Sequence, residues 1–249
     1  MSEDMIEGIP VPQCYKDLED ALASGIKRVI LYGPPGTGKT YSAQTLLVGE
    51  AGFETLICSE DMTNSDITGT MLPNEDGGWQ YIEGGGVRAW KTGARYVVDE
   101  INRASGDVVT TLMKFLDSPK SAVWRNPWTK ELITPHEDFT AIMTTNFEDP
   151  NEIDGPLRDR FPVAIKIDAA HPAALVSALP PHLRQLAATI VAGKPGERAS
   201  LRAWNDFQTL SNGGRMTTER AAKMVFGSQL ADQIISAIQI GTLTTTVTL

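Results

Sequence analysis

The sequence predicts an α/β protein in which a parallel sheet flanked by helices is followed by a smaller helical domain. Three observations carry this. The glycine-rich stretch Gly33-Pro34-Pro35-Gly36-Thr37-Gly38-Lys39-Thr40 joins a short apolar strand, Lys27 to Tyr32, to a helix beginning at Tyr41. Four more short apolar runs follow, each ending at polar or turn-forming residues. After Asp168 the strand signals stop, and Pro172, Pro180-Pro181 and Pro195-Gly196 punctuate helical segments instead. With 249 residues the expected division is two domains, 1–168 and 169–249.

The loop carries the chemistry. It fits G-x-x-x-x-G-K-[ST] at every fixed position. Glycines at 33, 36 and 38 allow positive φ along the loop Gly33, Pro34, Pro35, Gly36, Thr37 and Gly38, so that successive backbone N–H groups, which Pro34 and Pro35 lack, can turn inward on phosphate oxygens. The following helix adds its positive N-terminal end. Lys39 then reaches the β- and γ-phosphates, and the Thr40 hydroxyl supplies an oxygen to Mg²⁺.

Hydrophobic content of 41% and charged content of 21% describe an ordinary globular chain. A formal net charge of −9 counts against a sequence-independent nucleic-acid binder, while leaving room for a local basic pore. No apolar run reads as a signal peptide or a membrane span. Cys14 and Cys58 stand far apart and outside any metal-ligand spacing, which predicts free thiols in a reducing compartment and a cytoplasmic location.

In chain order, a lead of Ile9-Pro10-Val11-Pro12 precedes a helix from Tyr15 to Ala23, expected beside the nucleotide site. A second strand is Glu54 to Cys58. Asp-Gly-Gly and Gly-Gly-Gly then bracket Trp79-Gln80-Tyr81-Ile82, which reads as a projecting hairpin inside a helical region. Its aromatics either contact a partner or anchor the hairpin.

The third strand, Arg95 to Glu100, is expected beside the strand that leads into the loop, and it ends in adjacent carboxylates. Asp99 suits a Mg²⁺ ligand acting through water, and Glu100 suits the base that orients and deprotonates an attacking water. A helix with Val108, Val109, Leu112, Met113 and Leu116 on one face runs to Ser118-Pro119. Residues 122–129, with Trp124, Arg125 and Trp128, suggest a second hairpin. The strand Phe139 to Asn146 ends in a carboxamide able to bond both the water and the γ-phosphate. Arg158 and Arg160 precede the last strand, Pro162 to Ile167; one suits the transferring phosphoryl group and the other an ion pair. Beyond these come helices over 201–210 and 218–240. The tail, 242–249, has strand-like composition, and either pairs with an edge or stays disordered.

The ordered set of the loop, Asp99-Glu100-Ile101-Asn102-Arg103-Ala104, Thr144-Thr145-Asn146 and Leu157-Arg158-Asp159-Arg160-Phe161 resembles the AAA+ ATPases, specifically the MoxR-type clade related to the McrB and dynein-like group. The resemblance runs from about residue 8 to 240. It implies a P-loop AAA+ three-layer αβα core with a parallel five-stranded sheet, followed by a small helical lid domain. It also implies ATP with Mg²⁺ as ligands, Lys39 and Thr40 as Walker A, Asp99 and Glu100 as Walker B, and Asn146 as sensor 1. Arg160 matches the arginine finger given to a neighbouring subunit, with Arg158 as the alternative, and Arg202 looks like sensor 2. The family further implies a hexameric ring working on a protein client, often with a von Willebrand A domain partner. Arg95 within the third strand and Gly85-Gly86-Val87 in place of Gly-Pro depart from the pattern.

Three functions follow as expectations. The first is an ATP-hydrolysing ring that remodels a protein client in a chaperone-like way. The second is a motor on nucleic acid, using Arg125 and the nearby tryptophans as a stacking patch. The third is a nucleotide-gated scaffold.

Overall fold

The computed structural model describes residues 5–117, 121–194 and 196–246. Their contacts divide the chain into two compact units. The larger comprises Asp17–Gly33 and Lys39–Lys166; the other comprises the described residues of 1–16, 34–38 and 167–249.

The secondary structure runs β1 (Met5–Ile6), β2 (Ile9–Pro10), α1 (Gln13–Ala23), β3 (Arg28–Tyr32), α2 (Lys39–Thr45), β4 (Phe53–Ile57), α3 (Asn64–Thr68), β5 (Thr70–Pro73), β6 (Trp79–Ile82) and α4 (Gly85–Thr92). It continues with β7 (Arg95–Asp99), α5 (Gly106–Phe115), β8 (Trp124–Arg125), β9 (Leu132–Ile133), β10 (Thr140–Thr144), α6 (Gly155–Asp159) and β11 (Val163–Lys166). Last come α7 (Pro172–Ala178), α8 (Pro181–Val191), α9 (Leu201–Asn212) and α10 (Thr218–Thr246).

In the larger unit five strands form one parallel sheet in the order β11-β3-β10-β7-β4. All five expected strands are present, and the fold is the expected α/β architecture. One expectation is corrected: β10 lies between β3 and β7, so the strand ending in Asp99 is not the immediate neighbour of the strand that feeds the loop. The central strands read as unbroken apolar runs because helices cover both faces of a parallel sheet. Val29, Ile30, Leu31, Val97, Val98, Ala141 and Met143 are fully buried. On one side Trp90, Phe115, Phe139 and Trp124 pack as a ring cluster, with Trp90 Nε1 donating to the Phe115 carbonyl at 3.0 Å. Each large side chain buried this way is worth about 1.5–3 kcal/mol.

Arg95, 3% exposed, is explained by its partners. Its guanidinium donates to the carbonyls of Ala43 (3.0 Å), Leu46 (2.6 Å) and Leu47 (2.7 Å), where α2 runs out of intrahelical partners. A cation at a helix C-terminus also meets the negative end of its dipole. Burial pulls its pKa down to about 10, which still leaves it charged at neutral pH.

Both hairpins form. β5 pairs antiparallel with β6, with Trp79 opposite Pro73, and Asn74 closes the turn by accepting from Gly78 N at 2.6 Å. β8 pairs with β9, and the buried Asn126 caps that turn by accepting from the N–H groups of Trp128 (2.9 Å) and Thr129 (3.1 Å). The expected helix stop at Ser118-Pro119 lies outside the described residues.

In the second unit α7 to α10 enclose a core of Leu175, Leu183, Ala187, Val191, Trp204, Phe207 and Ile234. Trp204, Phe207 and Phe226 meet with ring centroids 5.0–6.0 Å apart. Ser200 caps α9 by accepting from Ala203 N at 3.1 Å. The helix expected over 218–240 is two helices broken at Gly227, where φ is 75° and ψ 164°. The tail is helical through Thr246, correcting its strand-like reading; 247–249 lie outside the described residues. Among the described residues no helix is long and apolar enough to cross a membrane.

Candidate functional site

Parallel strands put all their C-terminal ends along one edge of the sheet, so the side chains that follow β3, β7 and β10 meet there. The loop after β3 is pinned at its start, where Gly33 N donates to the Phe147 carbonyl at 2.9 Å. Gly33, Gly36 and Gly38 take φ of 118°, 75° and 100°, the left-handed region that makes glycine the fitting residue. Lys39 opens α2 and is 6% exposed. Its Nζ donates to Gly33 O at 2.8 Å and to Asn146 Oδ1 at 3.0 Å. Both are neutral oxygens, and an anion in their place would make a stronger, charge-assisted bond.

Asp99 and Glu100 stand at the end of β7. The Thr40 hydroxyl donates to Asp99 Oδ1 at 2.6 Å, and the Thr144 hydroxyl donates to the same oxygen. Thr144 Oγ1 accepts in turn from Glu100 N at 3.1 Å. Asn146 Nδ2 donates to Glu100 Oε1 at 3.2 Å, and Arg103 Nε pairs with Glu100 Oε2 at 3.1 Å. Lys39, Thr40, Asp99, Glu100 and Asn146 are thus joined by side-chain hydrogen bonds, with Thr144 as the link that the sequence reading missed.

Glu100 has φ of 56°, a left-handed conformation that costs a non-glycine residue about 1–2 kcal/mol. The hydrogen bond from its backbone N–H to Thr144 and the short turn Ile101–Arg103 hold it there. Cys58 is buried beside the two carboxylates; burial first, then their negative charge, push its thiol up to about 12, so it stays protonated and inert.

The donors around Asp99 fit a hard cation. A hydroxyl and a carboxylate oxygen 2.6 Å apart are the ligand types Mg²⁺ takes alongside water and phosphate. Among the described residues no cluster of three or more His, Cys, Asp or Glu could hold a metal ion.

Within the second unit, Gly36 has no room for a side chain: a Cβ there would lie 2.2 Å from Ser200 Cβ. Its carbonyl accepts from Leu201 N at 3.1 Å. The buried Tyr15 hydroxyl lies 3.0 Å from the carbonyls of both Thr37 and Ala169, and Thr37 Oγ1 donates to Pro34 O at 3.1 Å. The helix expected near the nucleotide loop therefore touches it through Tyr15.

A model of the AAA domain, dynein-related subfamily, matches residues 28–161, more than half of the chain. The chain belongs to this family. The matched span of the AAA domain holds every residue of the loop together with Asp99, Glu100, Asn146, Arg158 and Arg160, and stops short of Arg202. An uncharacterized protein of Staphylococcus epidermidis is 31% identical over 149 residues, which is 57% of this chain and 56% of that protein. An uncharacterized protein of Staphylococcus aureus is 30% identical over the same length, with the same coverage. The chain thus spans little more than half the length of the curated relatives it matches. A mutant of RuvB from Thermotoga maritima shares the fold, with a TM-score of 0.51 over 88% of this chain and 72% of that one, at 15% identity.

The arginines stand elsewhere in the AAA domain. Arg160 donates to Met113 O (3.0 Å) and Pro156 O (2.6 Å) and lies 3.6 Å from Asp117 Oδ2. Arg158 Nη1 donates to the Phe161 carbonyl, while its Nε is buried with no hydrogen-bond partner among the described residues. Neither takes a partner from the Lys39–Asn146 cluster. Arg202 belongs to the second unit, exposed in the first turn of α9.

Proposed function

We propose that this chain is an ATP-hydrolysing AAA+ protein whose copies assemble into a ring and act on a protein client, as the MoxR-type clade does. The observation that supports it best is the set of Lys39, Thr40, Asp99, Glu100 and Asn146 joined by hydrogen bonds at one edge of the sheet. Lys39 exchanges the neutral oxygens of Gly33 and Asn146 for the β- and γ-phosphates. Thr40 and Asp99 hold Mg²⁺, which when bound neutralises phosphate charge. Asn146 orients the attacking water, and a Glu100 oxygen takes its proton as the water oxygen bonds to the γ-phosphorus and the bond from that phosphorus to the β–γ bridging oxygen breaks, ADP leaving with the bridging oxygen. Arg160, or else Arg158, approaches from a neighbouring copy and stabilises charge on the transferring phosphoryl group. We read 1–168 as the AAA domain and 169–249 as its helical lid. Free Cys14 and Cys58 fit a reducing, cytoplasmic setting.

The paired hairpins suit a polypeptide client. Trp79 is 68% exposed, and Leu72, Ile82, Trp128 and Leu132 are exposed with it. Glu75 and Asp76 occupy the turn beside Trp79, a poor setting for a nucleic-acid backbone. A partner with a von Willebrand A domain and a subunit count of six complete the reading by family resemblance.

Mixing wild type with Arg160→Ala tests the shared active site. Turnover per subunit is expected to climb with protein concentration, and the mutant to depress it beyond dilution. Flat activity that falls only in proportion to the wild-type fraction would mean each copy hydrolyses alone.

A further inference from the structure

One edge of the five-stranded sheet is open. β4 is its terminal strand, and among the described residues no strand pairs with the far side of β4. Cys58 N, just past the end of β4, donates to Asp99 O at the end of β7 at 2.9 Å. Peptide groups alternate sides along a strand, so the N–H and C=O groups of Phe53, Thr55 and Ile57 point away from β7 into the open edge. Folded proteins blunt such edges with lysine, proline or a very short strand. β4 has five residues and neither of those side chains, and Phe53 and Ile57 stand 45% and 68% exposed along it.

The two faces beside that edge differ. Glu54 and Leu56 share the face packed by α4, where Arg88 holds the Glu54 carboxylate through Nε at 2.9 Å and Nη2 at 2.6 Å. A cavity of about 510 Å³ opens there beside Thr55–Ile57, between Asp61, Asp66, Gly85 and Arg88. Because Glu54 already balances Arg88, the exposed Asp61 and Asp66 leave the cavity negative. Phe53, Thr55 and Ile57 share the other face, on the side of α2, where Gln44 Nε2 donates to Thr55 Oγ1 at 3.1 Å. A strand added to β4 meets acid on one face and apolar side chains on the other.

The geometry points to the open edge of β4 as a docking site for an extended segment of a protein partner in which basic and apolar side chains alternate. The segment adds a strand to the sheet. Its backbone pairs with Thr55 and Ile57, its lysines or arginines enter the cavity at Asp61 and Asp66, and its apolar side chains lie along Phe53 and Ile57. Nothing in this docking depends on nucleotide chemistry.

The probe is a fluorescein-labelled peptide of alternating Val and Lys, titrated with the full chain and followed by fluorescence anisotropy. Saturable binding is expected, with amide exchange at Thr55 and Ile57 slowed in the complex. An isomer with all its lysines before its valines carries the same charge but cannot place the two types on opposite faces, and should lose saturable binding. Thr55→Pro removes an outward-facing N–H at an edge position that tolerates proline, and should weaken binding about ten-fold, the worth of one main-chain hydrogen bond. Asp61→Lys replaces a surface attraction by a repulsion of similar size, and should weaken binding about three- to thirty-fold. Equal affinity for the two peptides, or wild-type affinity in Asp61→Lys, overturns the proposal, and the second outcome decides it even where Thr55→Pro does not fold. Absence of saturable binding to the alternating peptide overturns it too; if Thr55→Pro then shrinks the wild-type assemblies in sedimentation, the edge belongs to a second copy of this chain.

Discussion

The strand-end cluster and the two hairpins are built on opposite plans, although both belong to the larger unit. At the sheet edge, polar side chains partner one another: Thr40 and Thr144 on Asp99, Asn146 on Lys39 and Glu100. In the hairpins, large apolar side chains stay in solvent, and contacts between the hairpins hold them in place. Tyr81 stacks on Trp128 with ring centroids 5.2 Å apart and planes 28° from parallel, and Lys91 reaches both Glu83 (2.7 Å) and Glu131 (3.0 Å). The contrast separates two jobs. Chemistry on a small charged group needs donors and acceptors fixed before it arrives, whereas an exposed apolar surface on a rigid ribbon is suited to a large partner.

The comparison breaks most severely at Arg95, which anchors α2 and therefore the orientation of Lys39. Arg95→Met leaves the carbonyls of Ala43, Leu46 and Leu47 without their donor, and should lower stability by about 3 kcal/mol or more. The check is a fall in the denaturant midpoint at unchanged slope. Next in size is the link that fixes Asp99 and Glu100: Thr144→Val keeps the shape of the buried side chain and removes its hydroxyl, and is expected to cost about 1–3 kcal/mol while weakening turnover more than ATP binding.

In the hairpins the effects are smaller and divide by residue. A double-mutant cycle on Tyr81→Leu and Trp128→Leu should return a coupling of about 0.5–1.5 kcal/mol for the stacked pair. Trp79 lies on the same face of β6 as Tyr81 but is 68% exposed, so Trp79→Ala should change stability by no more than about 0.5 kcal/mol. A larger loss would make it an anchor and would remove it from the proposed client surface.

Much of this was legible from short-range pattern. Five apolar runs became five strands, the first glycine bracket, Gly77-Gly78, fell in the turn of the β5–β6 hairpin while the second, Gly84-Gly85-Gly86, opened α4, and the loop, the carboxylate pair and Asn146 converged because parallel strands share an edge. What stayed hidden depends on long-range pairing. Nothing local says that β10 inserts between β3 and β7. Arg95 looked like a flaw in a strand because its partners lie 48–52 residues away at the end of α2. Thr144 carries one hydroxyl at the end of an apolar strand, and only its bridge between Asp99 and Glu100 shows its use. Gly227 is a single glycine in a long helical pattern, too weak a signal to show whether the helix bends, continues or stops.

The most direct measurement is ATP turnover and ATP binding side by side for wild type and Glu100→Gln. The cluster as a hydrolytic site predicts a fall in turnover of roughly 10²- to 10⁴-fold with binding preserved, the contribution of a positioned base. Turnover equal to wild type in the mutant would show that Glu100 takes no proton, and that the hydrogen-bonded carboxylate at the end of β7 is there for structure alone.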